Sequence, residues 1–320
     1  MRPLLLATVL LATAPACADR QQFIAADRIG RLVTEGRIEV PGGAVRYRVV
    51  GAGGGTPLLL VPAGPGLPGD YLAPLEALAD DRPVIFYDQL GSGRSDHPTD
   101  PALWRTERFV EELSAVRTAL RLDRVILFGH GWGAAVATAH ALAHAAGVKA
   151  LVLASPLLSG PRWNADAERL RRALPPDVDA VLRSHEAART TGSAEYQAAS
   201  EEFRRRFVCT VVPRPRELEQ ALAGFGHEPH RALWGPSAVQ VTGALGAFDL
   251  TPRLGDVRVP TLFTVGRFDA ATPETIASFQ ALVPGSRGAV FEHSAHMAML
   301  EEREAYVAAL RRFLREVDAR

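Results

Sequence analysis

The stretch "VILFGHGWGAAVATAH", residues 125–140, constrains the fold of this chain more than any other. Four apolar residues run without a break, three glycines alternate over five positions, and an alanine-rich segment follows. The first part suits a strand buried on both faces, and the last part suits a helix packed closely against it. The glycines between them imply a turn too tight for ordinary side chains.

The same grammar recurs along the chain. "PLLLVPAGPG", "PVIFYDQLGSG" and "VKALVLASP" are short apolar runs that end in glycine, proline or small residues. Segments of helical character separate them: "DYLAPLEALADD", "TERFVEELSAVRTALRL" and "AAVATAHALAHAAG", the last with Gly147 as its cap. Strand and helix in alternation predict an α/β protein with a mostly parallel, doubly wound sheet. Ahead of it, "GRIEV" and "AVRYRVVGAG" alternate with period two around "PGG", which predicts an antiparallel hairpin. Residues 156–250 lack strand-like runs and predict a helical cap inserted between a first core segment, 36–155, and a second, 251–320. The second carries a strand at "VPTLFTVGRFD", a helix at "PETIASFQALV", a strand at "GAVFEHSAH" and a final amphipathic helix from about Met299 to Val317.

Composition narrows the function. Acidic and basic residues balance at 36 each, with no basic stripe, so nothing favours a nucleic-acid partner. The run "EEFRRRF" reads as a solvated helix face. The opening "MRPLLLATVLLATAPACADR" joins a basic residue, a short apolar run and small residues, the layout of a signal peptide over residues 1–18. This predicts a secreted or periplasmic protein with no membrane span, and Cys17 adds the option of a lipid anchor. The two cysteines, Cys17 and Cys209, leave no internal disulfide if the first is removed or lipidated. No nucleotide motif, flavin fingerprint or metal-ligand spacing is present, so no cofactor or metal is expected.

The residues with chemistry sit at strand ends. A turn of the form G-x-S-x-G between strand and helix holds a nucleophile on strained backbone at a helix N-terminus. Here Gly129 and Gly133 supply the small flanks, and the nucleophile position is Gly131. Asp269 follows the strand "TLFTVG", and His296 follows the last strand, so nucleophile position, acid and base occur in the order expected of an α/β-hydrolase. The Gly/Pro loop "PAGPG", with the N–H of Trp132, supplies backbone donors for an oxyanion hole. The remaining histidines, His130, His140, His144, His227 and His230, read as structural or surface residues.

Together "VPAGPGLPGDYL", "VIFYDQLGSGRSD", "GHGWGAA", "LWGPSAVQVTGALGAFDLTPRL", "PTLFTVGRFDAATPETI" and "HSAHMAMLEE" resemble the proline iminopeptidase family of α/β-hydrolases, which includes amino-acid amidases. The resemblance runs from about residue 40 to the C-terminus. It implies a capped hydrolase that removes an N-terminal residue from a short peptide or aminoacyl amide. It also implies Asp269 as triad acid, His296 as base, and Gly64 and Trp132 as oxyanion donors. Three departures from the family pattern stand out. Pro62 and Ala63 replace the start of H-G-G-P-G and imply a reshaped oxyanion loop. Ala238 stands where a glutamate is expected to bind the substrate amine, with Glu195, Glu202 and Glu228 nearby in sequence. Gly131 replaces the serine. Three readings follow: a peptidase site that has lost its nucleophile, a His296/Asp269 acid–base catalyst that activates water, or a secreted binding protein without chemistry.

Overall fold

A computed structural model of the chain describes residues 23–26 by their backbone and residues 30–320 in full. The expected signal peptide and Cys17 lie outside the described residues. Among these, nine strands form one sheet: β1 (Phe23–Ala26), β2 (Leu32–Val40), β3 (Gly43–Val50), β4 (Leu58–Val61), β5 (Val84–Tyr87), β6 (Val125–His130), β7 (Val148–Ala154), β8 (Thr261–Gly266) and β9 (Arg287–Phe291). Their spatial order is β1-β2-β3-β5-β4-β6-β7-β8-β9. Pairings up to β3·β5 are antiparallel, with β2 and β3 forming the hairpin around Pro41 and Gly42. From β5 to β9 every pairing is parallel.

The helices are α1 (Thr106–Ala119), α2 (Trp132–Ala143), α3 (Gly160–Arg171), α4 (Pro176–Ala188), α5 (Ala194–Phe207), α6 (Arg216–Ala223), α7 (His227–Leu233), α8 (Pro273–Leu282), α9 (Ala298–Glu301) and α10 (Arg303–Asp318). Five of them, α3 to α7, fall between β7 and β8 and carry no strand. None among the described residues is long and apolar enough to cross a membrane.

The apolar runs form strands because each residue has a buried surface to meet on one face or the other. In β6, Val125 and Leu127 pack into the core on one side of the sheet, and Ile126 and Phe128 into the core on the other. All four are fully buried. Truncating any one to alanine would cost about 2–5 kcal/mol. The chain passes from β4 out to β5 and then back across to β6, so the strand order reverses between β4 and β6. The carboxyl ends of those two strands open the crevice in which such sheets bind ligands.

Three local expectations are corrected. Residues Gly69–Leu78 form a 3₁₀ helix, because Pro74 inside the segment has no N–H to donate and crowds the preceding turn. Helix α2 ends at Ala143, and Gly147 instead makes the positive-φ turn (+77°) into β7, close against the Asp123 carbonyl. The last helix breaks at Glu302 (φ −125°, ψ 52°) into α9 and α10. There the Glu302 carboxylate turns back to accept from the His293 N–H (2.9 Å) and Ser294 Oγ (2.6 Å).

Candidate active site

Strand β6 meets α2 at Gly131, whose backbone has φ +53° and ψ −115°. Its N–H donates to the Ala154 carbonyl (2.9 Å), and its own carbonyl accepts from Leu157 N–H (3.0 Å). The turn is thus pinned to β7 and the segment beyond it. A Cβ on Gly133 would stand 2.1 Å from the Val61 carbonyl oxygen, and one on Gly129 would stand 2.5 Å from Ala134 Cα. Neither flank can carry a side chain. Position 131 admits a Cβ only if its neighbour gives by a few tenths of an ångström, and its backbone is not relaxed: an L-residue there is strained by about 1–3 kcal/mol.

Asp269, after β8, and His296, after β9, meet beside this turn. His296 Nδ1 lies 2.7 Å from Asp269 Oδ1, with both side chains buried. Oδ1 also accepts from the Ala271 N–H (2.8 Å). Facing a carboxylate, Nδ1 carries the proton, which leaves the lone pair on Nε2. A Cβ built on Gly131 would lie 3.2 Å from that Nε2 and 3.4 Å from the Ala63 Cβ.

The loop after β4 borders the same point. The Ala63 N–H donates to Tyr71 Oη (2.8 Å) and is therefore already engaged. The N–H groups of Gly64 and Trp132 make no hydrogen bond among the described residues. That of Trp132 heads the first turn of α2, where amides lack intrahelical acceptors and the dipole favours negative charge. The helical insertion holds the loop: Gly226 N–H donates to the Gly66 carbonyl (2.7 Å) and His230 Nδ1–H to the Pro65 carbonyl (3.2 Å). Burial brings the His230 imidazole down to about 4, so it is neutral at pH 7.

Several residues at the site escaped the sequence reading. His130, grouped there with structural and surface histidines, is fully buried with its ring centroid 4.5 Å from that of His296. Its Nε2–H donates to the His296 carbonyl (3.0 Å), and its Nδ1 accepts from Tyr71 Oη–H (2.8 Å). A chain of hydrogen bonds therefore runs from Ala63 in the loop after β4 through Tyr71 and His130 to the backbone of His296. Burial, then the neighbouring His296, holds the His130 imidazole well below its ordinary value. Desolvation likewise pushes the Tyr71 phenol up. Only the apolar strand around His130 signalled its burial.

The end of α5 is the second feature missed. The Phe207 carbonyl accepts from Ala270 N–H and the Val208 carbonyl from Met297 N–H, each at 3.0 Å. Glu301 joins the same segment to the histidine loop. Its Oε1 accepts from Thr210 N–H and Oγ1 (both 2.7 Å), and its Oε2 from Ala295 N–H (2.9 Å). Burial raises the Glu301 carboxyl above its ordinary value. Main-chain acceptors leave no mark in a sequence, which explains the omission.

Ala238 is half-buried, and its N–H donates to Tyr196 Oη (2.8 Å). The carboxylate behind it is Glu186, which accepts from Ser237 Oγ (2.6 Å), Tyr196 Oη (3.1 Å) and Arg171 Nη2 (2.5 Å). The neighbours named from sequence are engaged in other pairs. Glu195 pairs with His185, Glu202 with Arg205 and Arg206, and Glu228 with Arg231. Trp163 of α3 instead reaches the site, its ring edge-on to His296 at 5.9 Å and to Trp234 at 5.2 Å. Its indole N–H is held by the Val239 carbonyl (3.1 Å).

A family model described as the alpha/beta hydrolase fold matches residues 56–303. A proline iminopeptidase of Heyndrickxia coagulans is 45% identical over 288 residues, covering 89% of this chain and 100% of that protein. The crystal structure of proline iminopeptidase from Mycobacterium smegmatis is similar with TM-score 0.82 and 32% identity, over 89% of this chain and 99% of that one. The crystal structure of VinJ is similar with TM-score 0.86 and 35% identity, over 88% and 98%. The chain belongs to the alpha/beta hydrolase family, and proline iminopeptidases are among its homologues.

Proposed function

We propose that this crevice is a proline-iminopeptidase-like site, built to bind a short peptide or aminoacyl amide by its N-terminal residue and to cleave the bond after it. In this reading His296 is the base, Asp269 orients it and balances its charge, and the Gly64 and Trp132 amides hold the oxyanion. The observation that carries it is the 3.2 Å between His296 Nε2 and the place of a Cβ on residue 131. A serine hydroxyl, one bond further out, falls within hydrogen-bond reach of that nitrogen. The scaffold thus retains the geometry of acyl transfer while the chain lacks the group that forms the acyl-enzyme.

In such sites loss of the serine costs about 10⁶ in kcat and leaves roughly 10³–10⁴ over water, from the oxyanion donors and binding. The chain with glycine is therefore a substrate-binding protein with residual hydrolysis. Restoring the hydroxymethyl group by Gly131→Ser is the test, with aminoacyl-naphthylamides led by proline as substrates. Turnover by the variant supports the reading, and its preferred residue names the specificity. A folded variant inert across the panel overturns it. Export belongs to the same proposal: mass spectrometry of the protein from the native host is expected to find an N-terminus near residue 18, or a lipid on Cys17. An intact Met1 start contradicts it.

A further inference from the structure

Position 131 and the free nitrogen of His296 face each other with no side chain between them. The nearest atoms to a Cβ there would be His296 Nε2 at 3.2 Å, Ala63 Cβ at 3.4 Å and His296 Cε1 at 3.7 Å. Nδ1 of the same ring is committed to Asp269, so Nε2 is where a proton can be received. A serine would present an O–H to that lone pair. A small molecule whose N–H or O–H occupies the same place presents the same proton.

We propose that this site transfers the N-terminal aminoacyl group of its substrate directly to a compact external nucleophile, water or a small amine or alcohol, seated between Gly131 and His296. The inference rests on the peptidase-like reading of the crevice and adds the second substrate. For an acceptor H–Nu, the Nu–C bond forms at the substrate carbonyl as the proton passes to Nε2. The carbonyl oxygen becomes an oxyanion facing the Gly64 and Trp132 amides. The C–N bond to the leaving amine then breaks, and that nitrogen takes the proton back from Nε2. The products are the aminoacyl–Nu compound and the free amine, with no oxidation or reduction. One step replaces the two of an acyl-enzyme mechanism. The approaches at 3.2 and 3.4 Å limit the acceptor to one or two heavy atoms beside the dyad.

The unsubstituted protein is incubated with prolyl p-nitroanilide and hydroxylamine. Nitroaniline release is expected to rise in proportion to hydroxylamine, to about 10²-fold over buffer, the lower end of what a positioned base contributes. Prolyl hydroxamate should form in equal amount. O-benzylhydroxylamine, with the same attacking nitrogen on a bulky group, should give less than about a tenth of that rate, because a ring would overlap atoms that already stand 3.2 and 3.4 Å from a single carbon placed there. His296→Ala should remove the response, and Gly131→Ala should remove it by placing a methyl in the acceptor's position. Alanine is strained at this backbone, so the comparison of the two hydroxylamines on the unsubstituted chain decides the matter if that variant does not fold. Release indifferent to hydroxylamine, a response that survives His296→Ala, or equal rates with the benzyl compound would each overturn the proposal. If Gly131→Ser turns over and the unsubstituted chain ignores hydroxylamine, only this inference fails. If both are inert, the peptidase-like reading fails with it.

Discussion

The Val208 carbonyl, at the end of α5, accepts a 3.0 Å hydrogen bond from the N–H of Met297, the residue after His296. One residue earlier the Phe207 carbonyl does the same for Ala270, the residue after Asp269. The helical insertion thus sets the spacing of the two loops whose side chains meet at 2.7 Å. It does so through main chain, so side-chain substitutions in α5 leave the clamp in place.

Glu301 is the side-chain part of this clamp. Glu301→Ala removes the acceptor of Thr210 N–H and Oγ1, which are exposed and turn to water, and of the part-buried Ala295 N–H, at a cost of about 0.5–1.5 kcal/mol. Urea denaturation should show the lower midpoint. A midpoint unchanged from the parent would mean that the bridge contributes nothing.

Tyr71→Phe deletes one oxygen and strands both the Ala63 N–H and His130 Nδ1. Unfolding free energy should fall by about 1–3 kcal/mol. In the Gly131→Ser background kcat should fall more than KM rises, because the loop after β4 and the His296 backbone lose their shared tie. A purely structural role would lower stability and leave kcat where it was.

His140, on α2 and away from the crevice, carries a pH prediction. It is almost fully buried, and Arg117 Nη1 donates to its Nε2 at 2.8 Å. Burial, then Arg117 and His144, lower its pKa from 6.5 to about 4. A depressed imidazole contributes stability that is whole above the unfolded value and is lost as pH falls, since the unfolded chain takes up the proton first. The window is therefore about pH 6.5 down to 4, and the loss is at most on the order of 3 kcal/mol. His140→Gln should show a shallower fall in Tm over this window than the parent. Parallel curves would contradict the assignment.

The parallel sheet, the hairpin and the tight turn at Gly131 were legible because each has a local signature: unbroken apolar runs, period-two alternation, and glycines spaced by a turn. Asp269 and His296 could be named because a short polar segment follows each apolar run. The 3₁₀ geometry of Gly69–Leu78 was legible in principle from Pro74, whereas the break at Glu302 depends on a carboxylate folding back onto its own loop. The carbonyls of Phe207 and Val208 and the link from Tyr71 through His130 to His296 are contacts between distant segments. Periodicity says nothing about those.

Gly131→Ser should also destabilise the fold, by about 1–3 kcal/mol, because it places an L-residue at φ +53°. Differential scanning calorimetry should show a Tm lower by several degrees. A gain in Tm would mean that the turn relaxes around the side chain.

The measurement that bears most directly on the central claim is the intact mass of the Gly131→Ser variant after exposure to a fluorophosphonate, which labels a serine only where an adjacent base activates it. One phosphonyl group on residue 131 is expected, absent from the unsubstituted chain and lost when His296→Ala is added. A folded variant that stays unlabelled, or one labelled equally without His296, would contradict the claim that Asp269, His296 and the turn form an acyl-transfer site lacking only a hydroxymethyl group.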